Sequence, residues 1–172
     1  VTTFRREEGY RDGRRPDTVA FGVGLQEDLA RRDFTINAMA LNRDGTVADP
    51  FGGRADLAAG LVRCVGEPDR RFQEDGLRLL RAIRFSAQLG FSLEPETAAA
   101  LARNAGRIVK VSGERIKAEL EKILLSPRPE LAALPVELGM LSRFGAVPRR
   151  VDHTDLAAMP STPEVRWKGL CQ

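Results

Sequence analysis

The chain is poor in the side chains that most often carry out chemistry directly. Its 172 residues include one histidine, His153, and two cysteines, Cys64 and Cys171. A single histidine excludes a His-pair metal site and a His-based catalytic triad. The cysteines lie far apart, form no CxxC metal spacing, and fit a reducing compartment as buried thiols. No uncharged apolar run approaches the roughly 18–20 residues that a membrane span needs. The opening VTTFRREEGY has no signal-peptide h-region or cleavage site. It starts without Met, in what reads as mid-strand, so a piece of a longer protein is expected. Lysine is scarce as well, four against 23 arginines.

What is present describes a globular protein, with 42% apolar and 30% charged residues and a net charge of +3. This length suits one ordinary domain, or parts of two small ones. The arginine excess follows equally from GC-rich coding and from phosphate or base recognition, where a planar five-donor group outperforms an ammonium.

Organisation changes along the chain. VTTFR (1–5) and DTVAFGV (17–23) are β-rich runs around a Gly-, Pro- and charge-dense loop, REEGYRDGRRPD. QEDLARRDFTINAMALN begins as helix and passes into an apolar run around Ala38–Leu41. GTVADP and LVRCV are short strand candidates flanking FGGRADLAAG, and ADPFGG reads as a tight turn into a helix. From about Glu67 the pattern is helical only. PDRRFQEDGLRLLRAIRFSAQLG reads as one helix ending at Gly90. EPETAAALARNAG has Pro95 in its first turn. SGERIKAELEKILLS has Ser112 at the N-cap and Ile116, Leu120, Ile123 and Leu124 at helical spacing. PELAALPVELGML and TPEVRWKGLC, the latter capped by Thr162, follow. A β-containing piece therefore feeds a helical one near residues 62–68.

Two stretches can carry chemistry. In EDGLRLLRAIRF (74–85), helical spacing puts Phe72, Leu79, Leu80, Ile83 and Ala87 on a core face. Glu74, Arg78, Arg81 and Arg84 fan across the opposite face, with Asp75 beside Arg78 at its edge. A solvated face supported by the Glu74–Arg78 pair is the plain reading. Against it, Leu77 and Phe85 lie among the arginines, and three like charges repel unless an anion or a partner sits between them. A polyphosphate would satisfy them. An Asp75–Arg78 pair permits more, because a carboxylate accepts hydrogen bonds and a guanidinium only donates. Cytosine and adenine each offer an exocyclic amine beside a ring-nitrogen acceptor, and uracil and guanine present the reverse order. In RRDFTINAMA (31–40), Asp33 caps a turn that Asn37 ends, or an arginine there holds a triphosphate while Asn37 fixes the turn. The acidic residues form no convincing Asp-x-Asp on a strand; Asp12 and Asp17 sit in the loop, and Asp44 and Asp49 in turns.

LQEDLARRDFTINAMAL, DPFGGRADL, VGEPDRRFQEDGLRLLRAIRF and VSGERIKAELEKIL, in that order, resemble the class II tRNA nucleotidyltransferases, the CCA-adding enzymes grouped with bacterial poly(A) polymerases. The resemblance implies an α+β fold. Residues 1–62 would be the C-terminal part of a polymerase-β-like head with a short mixed sheet, 63–126 a helical neck, and 127–172 the start of a helical body. It implies template-independent addition of C and A from CTP and ATP to the 3′ acceptor end of tRNA, in the cytoplasm. Poly(A) polymerase, CC- or A-adding activity and a non-catalytic RNA-binding module are the alternatives. Arg32 matches the family's phosphate arginine, and Asp75 and Arg78 match the pair that reads the base edge. Arg81 and Arg84 match further nucleotide contacts, with Arg31, Asp33, Asn37 and Glu74 supporting. The loop REEGYRDGRRPD matches an element tied to the switch from C to A. The family's Mg²⁺-binding Asp-x-Asp is expected upstream of Val1, so the chain alone is expected to be inactive and to contain no catalytic carboxylates. The neck and body would grip RNA by shape and phosphates.

Overall fold

The computed structural model describes residues 5–8, 18–142 and 153–171. Strands β1 (Arg5–Glu8) and β2 (Thr18–Phe21) pair antiparallel, with Arg5 opposite Phe21 and Glu8 opposite Thr18. The first strand thus enters the segment expected to be loop. Pairing with TVAF overrides the weak strand preference of RREE. The rest of that loop, residues 9–17, lies outside the described residues, as do residues 1–4.

Helix α1 (Leu25–Ala30) leads through a 3₁₀ turn, Thr35–Asn37, to β3 (Ala40–Leu41), which pairs antiparallel with β4 (Val47–Ala48). Helix α2 (Gly53–Ala59) is bounded by Gly52 and Gly60, whose φ of 75° and 64° favour glycine. Asp49 starts this helix by accepting the amides of Gly53 (2.7 Å) and Arg54 (2.9 Å), so ADPFGG is the tight turn its sequence describes.

Strand β5 (Leu61–Val62) pairs in parallel with β6 (Ser92–Leu93). The purely helical reading beyond Glu67 is therefore corrected. A two-residue strand has no alternation to read, and its partner lies about thirty residues away. Between them, the single helix expected over the arginine stretch is two: α3 (Pro68–Glu74) and α4 (Leu77–Leu89). Asp75 is extended at φ −146°, ψ 111°. Its Oδ1 accepts the Leu77 amide (3.0 Å) and its carbonyl accepts the Arg78 amide (3.0 Å), so it restarts the helix as an N-cap does. Gly76 lies against the Arg107 backbone, where a Cβ would come within 2.9 Å of the carbonyl oxygen.

Helices α5 (Pro95–Asn104), α6 (Gly113–Leu124), α7 (Ala133–Glu137), α8 (His153–Ala158) and α9 (Pro163–Cys171) complete the described fold. Glu94 caps α5 through the Thr97 amide, whereas Ser112 stands before α6 without a side-chain capping bond. Helix α4 packs on α6, and α3 packs on α5. Phe72, Leu79, Leu80, Ile83 and Ala87 are buried, with Phe34, Ile116, Ile123 and Leu124 in the same cluster. Each such Leu, Ile or Phe side chain contributes about 1.5–3 kcal/mol over leaving it exposed. Leu77 is also buried, not part of an open arginine face, because the break at Asp75 turns it into the core. Cys64 is buried and burial pushes its thiol up to about 12, while Cys171, expected to be buried, is exposed at the end of α9. Among the described residues no helix is long and apolar enough to cross a membrane.

Gly76→Ala should cost about 1–3 kcal/mol in denaturant unfolding, because the new Cβ meets backbone. Gly106→Ala, where a Cβ meets nothing within 4 Å, should stay within about 0.5 kcal/mol of wild type. Burial disfavours the charge on Glu94, but hydrogen bonds from the Thr97 amide and hydroxyl outweigh it and lower its pKa below the ordinary 4.5. The folded chain then binds that proton less readily than the unfolded one. The stabilisation is complete above pH 4.5 and disappears as pH falls through the lowered value. Glu94→Gln should therefore lose about 1 kcal/mol at neutral pH. Its gap to wild type should close on acidification, and a gap constant down to low pH would contradict this.

Candidate functional site

The two motif-bearing stretches meet in space. The last carbonyls of α1 have no partner within the helix and sit at its negative end. Guanidiniums from the α3–α4 joint take them: Arg71 Nη1 donates to the Ala30 carbonyl (2.9 Å) and Arg78 Nη2 to the Arg31 carbonyl (3.0 Å). One turn further along α4, Arg81 binds Asp33 through Nε (2.7 Å) and Nη2 (2.5 Å). Asp33 also accepts from the Phe34 amide (2.9 Å) and from Asn37 Nδ2 (3.2 Å), and the Asn37 carbonyl accepts from Arg32 (2.9 Å). Asp33 and Asn37 thus fix the turn that carries Arg32.

Glu74 is the hub of the joint. Its side chain is 11% exposed and receives Arg71 (2.7 Å), Arg78 (2.6 Å) and, from the solvent side, Arg70 (3.3 Å). The expected Glu74–Arg78 pair exists, but it is buried and not part of a solvated face. Arg78 gives two donors from Nη1, to Glu74 and the Arg71 carbonyl, and one from Nη2. Two of its five N–H groups, at Nε and Nη2, remain.

The Asp75 carboxylate does not bond the Arg78 guanidinium. The helix break turns that carboxylate toward α6, where Oδ2 accepts from Arg115 (2.8 Å). Arg84 lies 2.7 Å from Glu119 as an ion pair not aligned as a hydrogen bond, and donates to Gln88 (3.1 Å). Its guanidinium also covers Phe85 at 4.1 Å, and Phe85 meets Phe34 edge-on at 5.6 Å. Phe85 is thus a stacking support and not a stray apolar residue. The like charges of Arg78, Arg81 and Arg84 are likewise balanced within the fold, not by the anion their spacing suggested. Glu74, Asp33 and Glu119 answer them in turn.

Five residues of this constellation escaped sequence reading: Asp28, Arg70, Arg71, Arg115 and Glu119. Asp28 is 1% exposed and pairs with Arg31 (2.7 Å) and Arg32 (3.3 Å). The i, i+3 and i, i+4 spacings of Asp28 to these arginines, of Arg71 to Glu74 and of Arg115 to Glu119 were the available signal. Guanidiniums of Arg31, Arg32, Arg70, Arg71, Arg78, Arg81, Arg84 and Arg115 outnumber the carboxylates of Asp28, Asp33, Glu74, Asp75 and Glu119. The cluster therefore keeps a positive excess suited to phosphate. The Nε of Arg32 is buried without a partner.

Other features lie outside it. Thr35, Asp56, Arg63 and Glu94 form a polar chain from the 3₁₀ turn to α5, with contacts of 2.6, 3.1 and 3.3 Å. A cleft of about 310 Å³ lies over that chain, between Phe51, Arg63 and Glu96. Another, of about 430 Å³, lies between Leu25, Ala48 and Pro50. Among the described residues no group of three or more His, Cys, Asp or Glu side chains is placed to hold a metal ion.

Beside this geometry, a strand-bearing segment clasped by an arginine-rich helical joint, stand comparisons to known proteins. Residues 1–63 match the model of the poly(A) polymerase head domain. Residues 90–143 match a model described as a probable RNA and SrmB-binding site of polymerase A. The class so defined is that of the polymerase A proteins. A CCA-adding enzyme of Limosilactobacillus fermentum is 56% identical over 125 residues, 73% of this chain and 31% of that protein. One from Geobacillus stearothermophilus is 43% identical over 178 residues, 99% of this chain and 44% of that protein. The crystal structure of the Bacillus stearothermophilus CCA-adding enzyme in complex with CTP superposes with a TM-score of 0.68 at 44% identity. It covers 81% of this chain and 32% of that one. The chain belongs to the CCA-adding enzyme and poly(A) polymerase family, and it spans less than half the length of these relatives.

Removing the hub should be costly. Glu74→Ala leaves Arg71 and Arg78 without their shared carboxylate and should cost about 3–5 kcal/mol in equilibrium unfolding. A loss below about 1 kcal/mol would show that the arginines re-pair elsewhere.

Proposed function

We propose that the full-length protein is a template-independent RNA nucleotidyltransferase that adds CCA, from CTP and ATP, to the 3′ end of tRNA in the cytoplasm. Residues 1–62 are its partial head, 63–126 the nucleotide-selecting neck and 127–172 the start of its body. The observation that carries this reading is the α3–α4 joint. There an aspartate held from behind and an arginine with two donors left sit one turn apart, next to a positively charged turn. Asp75 keeps lone pairs for an exocyclic amine, and Arg78 keeps Nε–H and one Nη2–H for the ring nitrogen and, in cytosine, the neighbouring carbonyl oxygen. Cytosine and adenine satisfy both groups. Uracil and guanine set acceptor against carboxylate and donor against guanidinium, which leaves desolvated groups unpaired.

Arg32, held by Asp28 and by the Asn37 carbonyl, takes the triphosphate, and Arg81 and Arg84 complete the nucleotide contacts. Arg31, Asp33, Asn37 and Glu74 support them. Mg²⁺ is the metal of the whole protein. The work of these residues is selection and holding. A second reading, addition of A alone, is favoured by the match of residues 1–63 to a poly(A) polymerase head.

Incubation of the full-length protein with tRNA lacking its CCA end and each nucleotide in turn separates the two. C, C, A incorporation is expected, and A alone on unrelated RNA ends would refute the lead reading. Asp75→Ala combined with Arg78→Ala should lower the preference for CTP and ATP over UTP and GTP by about tenfold or more. Triphosphate binding should weaken less, and an unchanged preference would remove the selection role.

A further inference from the structure

Arg71 has no role in the reading above, yet it joins the two halves of the nucleotide site. It is 7% exposed, and two of its side-chain bonds reach different elements. Nη2 reaches Glu74 Oε1 at 2.7 Å, inside the α3–α4 joint. Nη1 reaches the Ala30 carbonyl at 2.9 Å, at the end of α1. Ala30 lies two residues before Arg32. Glu74 directly precedes Asp75, and its other oxygen holds Arg78 at 2.6 Å. One planar group therefore ties the segment bearing the phosphate arginine to the segment bearing the base readers.

We propose that Arg71 is a positioning residue for nucleotide selection, setting the spacing between Arg32 at the phosphate end and Asp75 and Arg78 at the base end. This rests on the selection reading given above. A base edge is read only if it reaches Asp75 and Arg78 while the phosphates are anchored, and a misplacement of about 1 Å can cost on the order of a hundredfold. Arginine suits the task because its rigid fork holds both acceptors in one plane, which a single ammonium on a flexible stem cannot do. Arg78 makes a similar bridge, to the Arg31 carbonyl, but it faces the nucleotide itself. Arg70 reaches Glu74 at 3.3 Å with its side chain 75% exposed, from the solvent side. Arg71 is thus the link that can be altered without touching a group assigned to the nucleotide.

The test uses the full-length protein, tRNA lacking its CCA end, and CTP and UTP as probes. KM, kcat, the CTP-over-UTP preference and Tm are measured for wild type, Arg71→Lys, Arg71→Met and the Asp75→Ala/Arg78→Ala protein. In both Arg71 variants the KM for CTP should rise about tenfold and the preference fall about tenfold, with kcat changing less. Lysine's failure to rescue marks geometry and not charge. Preference lost in the double variant but kept in Arg71→Lys, whatever its Tm, overturns the role of Arg71 and leaves it a packing residue. Preference kept in the double variant overturns the selection reading, and the role of Arg71 with it.

Discussion

The structure depends on how the open end of a short helix is closed. Helix α1 has six residues, too few to be stable alone, and the carbonyls of Ala30 and Arg31 at its end find their partners outside it. Arg71 and Arg78 take them, and Glu74 holds both arginines. A buried guanidinium is tolerable only with its charge answered. Here the same bonds that neutralise the arginines also join the strand-bearing part of the chain to α4. The turn carrying Arg32 then takes its place from Asp33, Asn37 and Arg81, all tied back to the same helix.

That arrangement gives the arginines two duties. Each is engaged with a carboxylate or a carbonyl before any ligand arrives, so the surface is built beforehand. Because guanidiniums exceed carboxylates in the cluster, a positive potential remains for phosphate. The proposed reading of C and A asks little of Arg78 beyond the two donors its structural bonds leave over. It asks of Asp75 only a fixed orientation, which Arg115 and the Leu77 amide supply.

Much of this was legible in the residues. Core positions of α4 and α6 followed from helical spacing, Gly90 and Pro95 from the chemistry of helix ends, and the Glu74–Arg78 pair from its separation of four. The chain's motifs, in their order, pointed to the family. The split of one helix at Asp75–Gly76 was not legible. Asp-Gly breaks helices in some settings, but here the decisive contact is Gly76 against the carbonyl of Arg107, supplied from a distant segment. The burial of Leu77 and the turn of Asp75 toward Arg115 follow from that break. Strand β6 was hidden for a similar reason, since two residues form a strand only because Leu61 and Val62 lie beside them.

By itself the sequence determined which groups are available: a set of arginines at helical spacing, carboxylates three or four residues away, and an aspartate before a glycine. Local geometry and side-chain chemistry suffice for that, because i, i+3 and i, i+4 neighbours meet in any helix. Tertiary structure decided which partner each group takes. Arg81 chose Asp33 from another element, Asp75 chose Arg115 and not Arg78, and Arg71 reached across to α1. Those choices turn on burial and on the direction of each fork. Both are properties of segments packed together, not of their spacing along the chain.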